Sequence, residues 1–252
     1  MIYLGPVRTD TVPAHRRGHF EIIAHRGTPR ERPENSLPGF RRALEYGADG
    51  IELDVHLTAD GVVVVHHDTA LRAPEGSPAG SVPPLEIHEL TYDAIRAHPL
   101  APGVPIPTLA EVLELAGLMA TLYIEVKAAA AAAAVVDCIG QSKGTYAVHG
   151  FDHRVALRVS EIAPAIPGGI LLDSYLIDPA AALRDAGARD YWQRWEMIDA
   201  DLVTRIHAAG GRVIAWTVND IEAARHLVAL GVDGVCTDIC GTMGNELRGS
   251  RH

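Results

Sequence analysis

The chain has 252 residues, of which 48% are hydrophobic and 21% charged, with a formal net charge of −10. This length supports a large buried core, the composition argues against a disordered chain, and the negative charge disfavours general nucleic-acid binding. Cys138, Cys236 and Cys240 are too few for a disulfide framework, and no stretch reaches the roughly 18 apolar residues of a membrane span.

The opening segment MIYLGPVRTDTVPAHRRGHF lacks an apolar leader core, so a cytoplasmic location without stable membrane insertion is expected. From there β-type runs and helical patterns alternate. A strand is predicted at 21–25, a helix at 37–46 and strands at 50–56 and 62–66. After an irregular, proline-rich stretch over 69–107 come a helix at 109–117, a strand at 121–127, a helix at 129–139 and a strand at 145–151. The pattern continues with a helix at 154–162, a strand at 168–172, a helix at 179–186 and a weaker strand at 191–195. A helix at 200–209, a strand at 212–218, a helix at 221–230 and a strand at 234–237 complete it.

Repeated βα units in about 250 residues predict an α/β fold, a TIM (β/α)8 barrel, with a doubly wound open sheet as the structural alternative. The prediction has one strand more than a barrel needs. Only L-T-A-D-G separates 50–56 from 62–66, and a parallel crossover takes a dozen or more residues. Those two strands should therefore form a β-hairpin near the mouth, with 69–107 as a short loop-rich insertion. The whole chain reads as one barrel domain with its core over about 20–238.

Charge appears where a buried strand should carry none. In I-E-L-D-V, Glu52 and Asp54 are two residues apart and share a face. Buried side by side they repel, and a divalent cation is the simplest remedy; an exposed strand end is the bland alternative. In Y-I-E-V-K, Glu125 and Lys127 repeat the pattern. If that strand faces the first across the barrel, three carboxylates converge. An all-oxygen set suits Mg2+ or Ca2+. Lys127 would stand beside it as a point charge for a phosphate oxygen.

His25-Arg26-Gly27 and His67-Asp68 follow apolar strands, at the strand ends where barrel enzymes carry their chemistry. His25 and His67 can act as general acid and base, and Arg26 can clamp a phosphate. A lone histidine is more often a packing residue, and of the neighbours His66 and His67 only one can enter a site. In P-E-N-S, Ser36 reads as a helix cap, while Glu34 and Asn35 can orient groups from the first loop.

The set H-R-G, P-E-N-S, E-L-D-V, D-G-V-V-V-V-H-H-D, I-P-T-L-A-E-V-L, Y-I-E-V-K, F-D-H, A-W-T-V-N and G-V-D-G-V-C-T-D resembles the glycerophosphodiester phosphodiesterase family, in order, over about residues 20–238. The resemblance implies a TIM barrel that hydrolyses small glycerophosphodiesters to sn-glycerol 3-phosphate and an alcohol. It implies Glu52, Asp54 and Glu125 as ligands of Mg2+ or Ca2+, and His25 and His67 as the acid–base pair, which also decides for His67 over His66. Arg26 and Lys127 match phosphate-contacting positions, and Trp216 matches a pocket wall, although an apolar strand tryptophan can equally be core. The chain departs from the family pattern at Ser36, in the poly-alanine run after Lys127 and at Ile239-Cys240-Gly241. Two further readings stand beside this one: a lysophospholipase D or sphingomyelinase D type activity, which needs an acyl-chain pocket, and a barrel that binds phosphodiesters without cleaving them.

Overall fold

The computed structural model describes residues 20–71, 85–116 and 118–248. Its elements are β1 (Glu21–His25), α1 (Leu37–Glu45), β2 (Gly50–Leu57), β3 (Val63–Val65), β4 (Ala70–Leu71), β5 (Leu85–Glu86), α2 (Tyr92–Ile95) and α3 (Leu109–Ala116). They continue with β6 (Thr121–Val126), α4 (Ala132–Gly140), β7 (Thr145–Gly150), α5 (Arg154–Ile162), β8 (Gly168–Leu172) and α6 (Pro179–Asp185). The last are β9 (Asp190–Arg194), α7 (Ala200–Ala208), β10 (Arg212–Trp216), α8 (Ile221–Leu230), β11 (Gly234–Thr237) and α9 (Cys240–Arg248).

Strands β1, β2, β6, β7, β8, β9, β10 and β11 pair in that order, all parallel, and β11 returns to β1. The sheet is thus a closed barrel, and the open-sheet alternative falls. The surplus strand is β3, which folds back antiparallel on the end of β2 with His56 opposite Val64. The hairpin expected from the short L-T-A-D-G connection is therefore present, outside the barrel ring. The insertion carries more order than its sequence suggests: β4 pairs with β5, and Leu71, Ile87, Ile95 and Ile106 pack with Val64 as a small separate core. Residues 72–84 of the expected loop-rich insertion and the opening segment 1–19 lie outside the described residues.

Helix starts follow local chemistry. Ser36 accepts a hydrogen bond from the Gly39 amide at the head of α1, and Asp178, Asp199 and Asp220 do the same for α6, α7 and α8. Each such cap contributes about 1 kcal/mol. α9 was not foreseen, because C-G-T-M-G-N-E-L-R has two glycines and a sparse apolar stripe; Cys240 and Met243 bury it.

Strand alternation sorts the core into two shells. One set of strand residues, including Ile22, Leu53, Ile124 and Val148, faces the helices. The other set fills the barrel with Ile23, Tyr123, Ala147, Leu171, Trp192, Ile214 and Cys236. At the N-terminal strand ends the interior is closed by an ionic cluster. Arg212 Nη2 lies 2.9 Å from Glu21 Oε2 and its Nη1 3.7 Å from Asp190 Oδ1, while the Tyr123 hydroxyl donates to Glu21 at 2.5 Å. The opposite end is open, and there the inward positions are again polar.

Candidate active site

The inward parity that places Ile23, Tyr123 and Ala147 in the core places His25, Glu125 and His149 two residues further along, at the open end. Register aligns them: His25 opposite Glu52, Asp54 opposite Glu125, and Glu125 opposite His149. One expectation is corrected here. β2 and β6 are not across the barrel from one another but adjacent, because β3, the insertion and α3 form the crossover between them. The carboxylates meet by neighbouring register.

Their environment is nearly dry. Asp54 is fully buried, and Glu52 and Glu125 almost so. Lys127 Nζ stands 2.6 Å from both Asp54 Oδ1 and Glu125 Oε1. Arg26 Nε lies 3.0 Å from Asp54 Oδ2, and Asn35 Nδ2 donates to the same oxygen at 2.8 Å. Burial would raise the Asp54 carboxyl, but Lys127 and Arg26 more than offset it and hold it down at about 2. Glu52 goes the other way: burial first, then the charges of Asp54 and Glu125, push it well above the usual carboxylate range. Burial and Asp54 also raise Glu125. The cluster therefore carries more negative charge than its two cations neutralise comfortably.

The first loop is shaped to deliver these groups. Arg26 and Asn35 both take left-handed backbone angles (φ 50° and 55°), and the Asn35 amide donates to the Arg26 carbonyl. Gly27, at φ 87°, passes so close to α1 that a Cβ would lie 2.8 Å from the Gly39 carbonyl carbon. Glu34, at the rim, reaches Arg26 Nη1 at 3.3 Å.

Each of the two predicted imidazoles has a carboxylate on Nδ1. His25 Nδ1 is 2.7 Å from Asp238 Oδ1, and His67 Nδ1 is 2.8 Å from Asp68 Oδ1. A proton on Nδ1 satisfies both bonds and leaves each Nε2 as the nitrogen that can take or give a proton. Asp238 is itself fixed by Asn219, whose Nδ2 donates to Oδ2 at 2.7 Å and whose Oδ1 accepts the Asp238 amide. The buried His56 places a ring nitrogen 3.2 Å from the His67 carbonyl, and His66 turns aside to the Asp68 carbonyl.

His25, Arg26, Glu52, His67, Glu125, Lys127 and Trp216 line one cleft of about 240 Å³. Asp54 and Asn35 are buried beneath Arg26 and Lys127. Trp216 forms the apolar wall with Leu171, Trp192 and Phe151, whose ring meets Trp216 edge-on at 5.5 Å. A second, open depression adjoins the cleft past His67, Asp68, Lys127 and Phe151.

Residues 25–242 match the Glycerophosphoryl diester phosphodiesterase family. The chain belongs to this family. It is a phosphoric diester hydrolase of that type. It is 33% identical over 238 residues to a glycerophosphodiester phosphodiesterase of Caldanaerobacter subterraneus subsp. tengcongensis, covering 90% of this chain and 97% of that one. The crystal structure of a glycerophosphodiester phosphodiesterase from Thermotoga maritima superposes with a TM-score of 0.75 at 27% identity, covering 89% of this chain and 96% of that one. A phosphodiesterase from Oleispira antarctica, solved with the product sn-glycerol-3-phosphate, shares the fold (TM-score 0.81, 23% identity, 90% and 96% coverage).

Three groups at this phosphodiesterase's mouth escaped the sequence reading. Asp238 and Asn219 lie within quoted motifs, but Asp238, held by Asn219, reaches His25 only once β11 closes on β1. His149 sits in T-Y-A-V-H-G, where a single polar residue in an apolar strand reads as packing. Its signal was parity: it shares a face with Ala147 and is in register with Glu125. Glu52, Glu125 and His149 form a group able to hold a metal ion, one ligand atom of each lying within 4.8 Å of the others. Among the described residues no helix is long and apolar enough to cross a membrane.

Proposed function

We propose that the protein hydrolyses small glycerophosphodiesters to sn-glycerol 3-phosphate and an alcohol, using a divalent cation and His25 and His67 as the acid–base pair. The observation that carries this reading is the convergence, in one cleft, of buried carboxylates with two imidazoles whose Nδ1 atoms rest on carboxylates. The product held by the Oleispira antarctica relative supports the choice of substrate.

The donor groups fit a cation. Glu52 and Glu125 are buried, mutually repelling and raised, and the nearby imidazole of His149 has no hydrogen-bond partner on either nitrogen among the described residues. We assign Glu52, Asp54 and Glu125 as its holders and Mg2+ or Ca2+ as the ion. Bound there, the ion would polarise a phosphoryl oxygen and offset the carboxylate charge.

The chain's own residues do the rest. Arg26 and Lys127, fixed from behind by Asp54, hold the phosphate; Asn35 and Glu34 orient Asp54 and Arg26; Trp216 packs against the glycerol carbons. One Nε2 accepts the proton of the attacking hydroxyl, either the substrate's own 2-hydroxyl or water, and the other gives a proton to the leaving oxygen. The alcohol departs through the open depression beyond His67. The same reading treats the chain as one barrel domain acting in the cytoplasm.

The test is a product assay across several glycerophosphodiesters and lysophosphatidylcholine, with chelator and then Mg2+ or Ca2+ added back. Metal-dependent release of glycerol 3-phosphate is expected. Cleavage of lysophosphatidylcholine alone, or binding without turnover, would overturn the assignment. Trapping a cyclic glycerol phosphate distinguishes the 2-hydroxyl from water as nucleophile.

A further inference from the structure

His149 is a buried side chain that the proposed chemistry leaves unused. It is 1% exposed, and neither Nδ1 nor Nε2 has a hydrogen-bond partner among the described residues. Its ring is held in place: it stacks on Trp192 with centroids 4.4 Å apart and planes 14° from parallel. Behind it Gly169 leaves the space this stack needs, since a Cβ there would lie 3.0 Å from His149 Cβ and 3.2 Å from Trp192 Cδ1. The ring is thereby fixed on the cleft wall, with Nε2 4.0 Å from Glu52 Oε1.

A buried, unpartnered imidazole is unfavourable unless a ligand completes it. An ammonium or guanidinium donor is not what the site lacks, because Lys127 and Arg26 already sit against Asp54. What remains near the unpaired nitrogens are the buried carboxylates of Glu52 and Glu125, one ligand atom of each lying within 4.8 Å of a ring nitrogen.

We infer that His149 donates a ring nitrogen to the same divalent ion as Glu52 and Glu125. The site then has a mixed nitrogen and oxygen donor set, and this chain accepts Mn2+, Co2+ or Zn2+ in addition to hard Mg2+ and Ca2+. Imidazole selects for the transition ions, whereas carboxylate oxygen alone suits the hard ones. This inference rests on the metal-assisted reading above and goes beyond it, by adding a ligand and changing the ion preference.

The experiment is titration calorimetry of the full chain with Mg2+, Mn2+ and Co2+, together with the visible absorption of the Co2+-loaded protein, for wild type, His149→Gln, His149→Phe and Glu52→Gln. Glutamine keeps a donor oxygen at the position; phenylalanine keeps the stack on Trp192 and removes both nitrogens. Both His149 variants are expected to lose about tenfold or more in Co2+ and Mn2+ affinity, which is about 1.4 kcal/mol, and to change the Co2+ spectrum. Mg2+ affinity should hold within about threefold in His149→Gln. Unchanged Co2+ affinity and spectrum in both His149 variants, with binding lost in Glu52→Gln, would overturn the role of His149 alone. Binding unaffected in all three variants would overturn the metal site itself. Thermal unfolding of each variant checks that the fold is intact, and His149→Phe decides if His149→Gln fails to fold.

Discussion

Removing the Asp238 carboxylate tests whether His25 works as positioned. Asp238 Oδ1 is 2.7 Å from His25 Nδ1, and both side chains are mostly shielded from water, at 17% and 20% exposure. When the ring carries a proton in the transition state this becomes a charge-assisted bond, worth about 1.5–3 kcal/mol. At about 1.4 kcal/mol per tenfold, Asp238→Ala should lower kcat by roughly 10–150-fold. Asp238→Asn keeps an acceptor for Nδ1–H but not the charge, so its loss should be smaller. Asp238 does not line the cleft, so KM should stay within about threefold in both variants. Steady-state rates on a glycerophosphodiester with saturating Mg2+ measure each quantity. An Asp238→Ala kcat within threefold of wild type would refute the reasoning, as would an equal loss in Asn and Ala. The same carboxyl gives a stability signature. Burial would raise it, but the hydrogen bond and charge of His25 more than offset this and hold it below its ordinary value. Its contribution is therefore present above the unfolded value of about 3.9 and is lost as pH falls through the lower folded value. Wild type and Asp238→Ala should thus converge in stability at acid pH, as read by urea unfolding.

Chelation should reduce turnover by about 10²-fold or more, with recovery on adding Mg2+ or Ca2+, read as release of glycerol 3-phosphate. His25→Ala and His67→Ala should each cost roughly 10²–10⁴ in rate, and full activity in either removes that residue from the scheme. Arg212→Met strips the shared cation from Glu21 and Asp190 at the closed end, leaving buried carboxylates short of charge. It should cost about 3 kcal/mol and lower Tm by about 6–12 °C in a calorimetric scan, with kcat of the surviving fold little changed.

Much of this was readable from the sequence because a strand's alternation is strict. Alternation showed that Glu52 and Asp54 share a face, and that Glu125 and Lys127 do, but not whether that face was the barrel interior. The hairpin of β2 and β3 was legible from the length of one loop, since five residues cannot cross a sheet. What alternation cannot give is which strand stands beside which. The expectation that Glu125 faces the other carboxylates across the barrel failed for that reason: the crossover runs through an insertion whose order was invisible in its prolines. Asp238 stayed hidden because its partner His25 is 213 residues away along the chain, and Asn219, which acts through Asp238, stayed hidden with it. α9 escaped because two glycines and a thin apolar stripe give no helical signal without the barrel to bury against.

The two ends of the barrel explain why burial alone is a poor guide to function here. Both carry charged side chains on inward positions, and both exclude water. At the closed end each charge is matched: Arg212 serves Glu21 and Asp190, Arg189 pairs with Asp190 at 2.5 Å, and the Tyr123 hydroxyl takes an oxygen of Glu21. Such a cluster specifies packing and offers nothing to a ligand. At the open end the match is incomplete. Lys127 and Arg26 are committed to Asp54 and Glu125, burial and then the neighbouring carboxylates raise the Glu52 carboxyl, and both nitrogens of His149 lack a hydrogen-bond partner among the described residues. Unspent electrostatic and hydrogen-bonding capacity, rather than the presence of buried charge, marks the end where a cation and a phosphodiester belong.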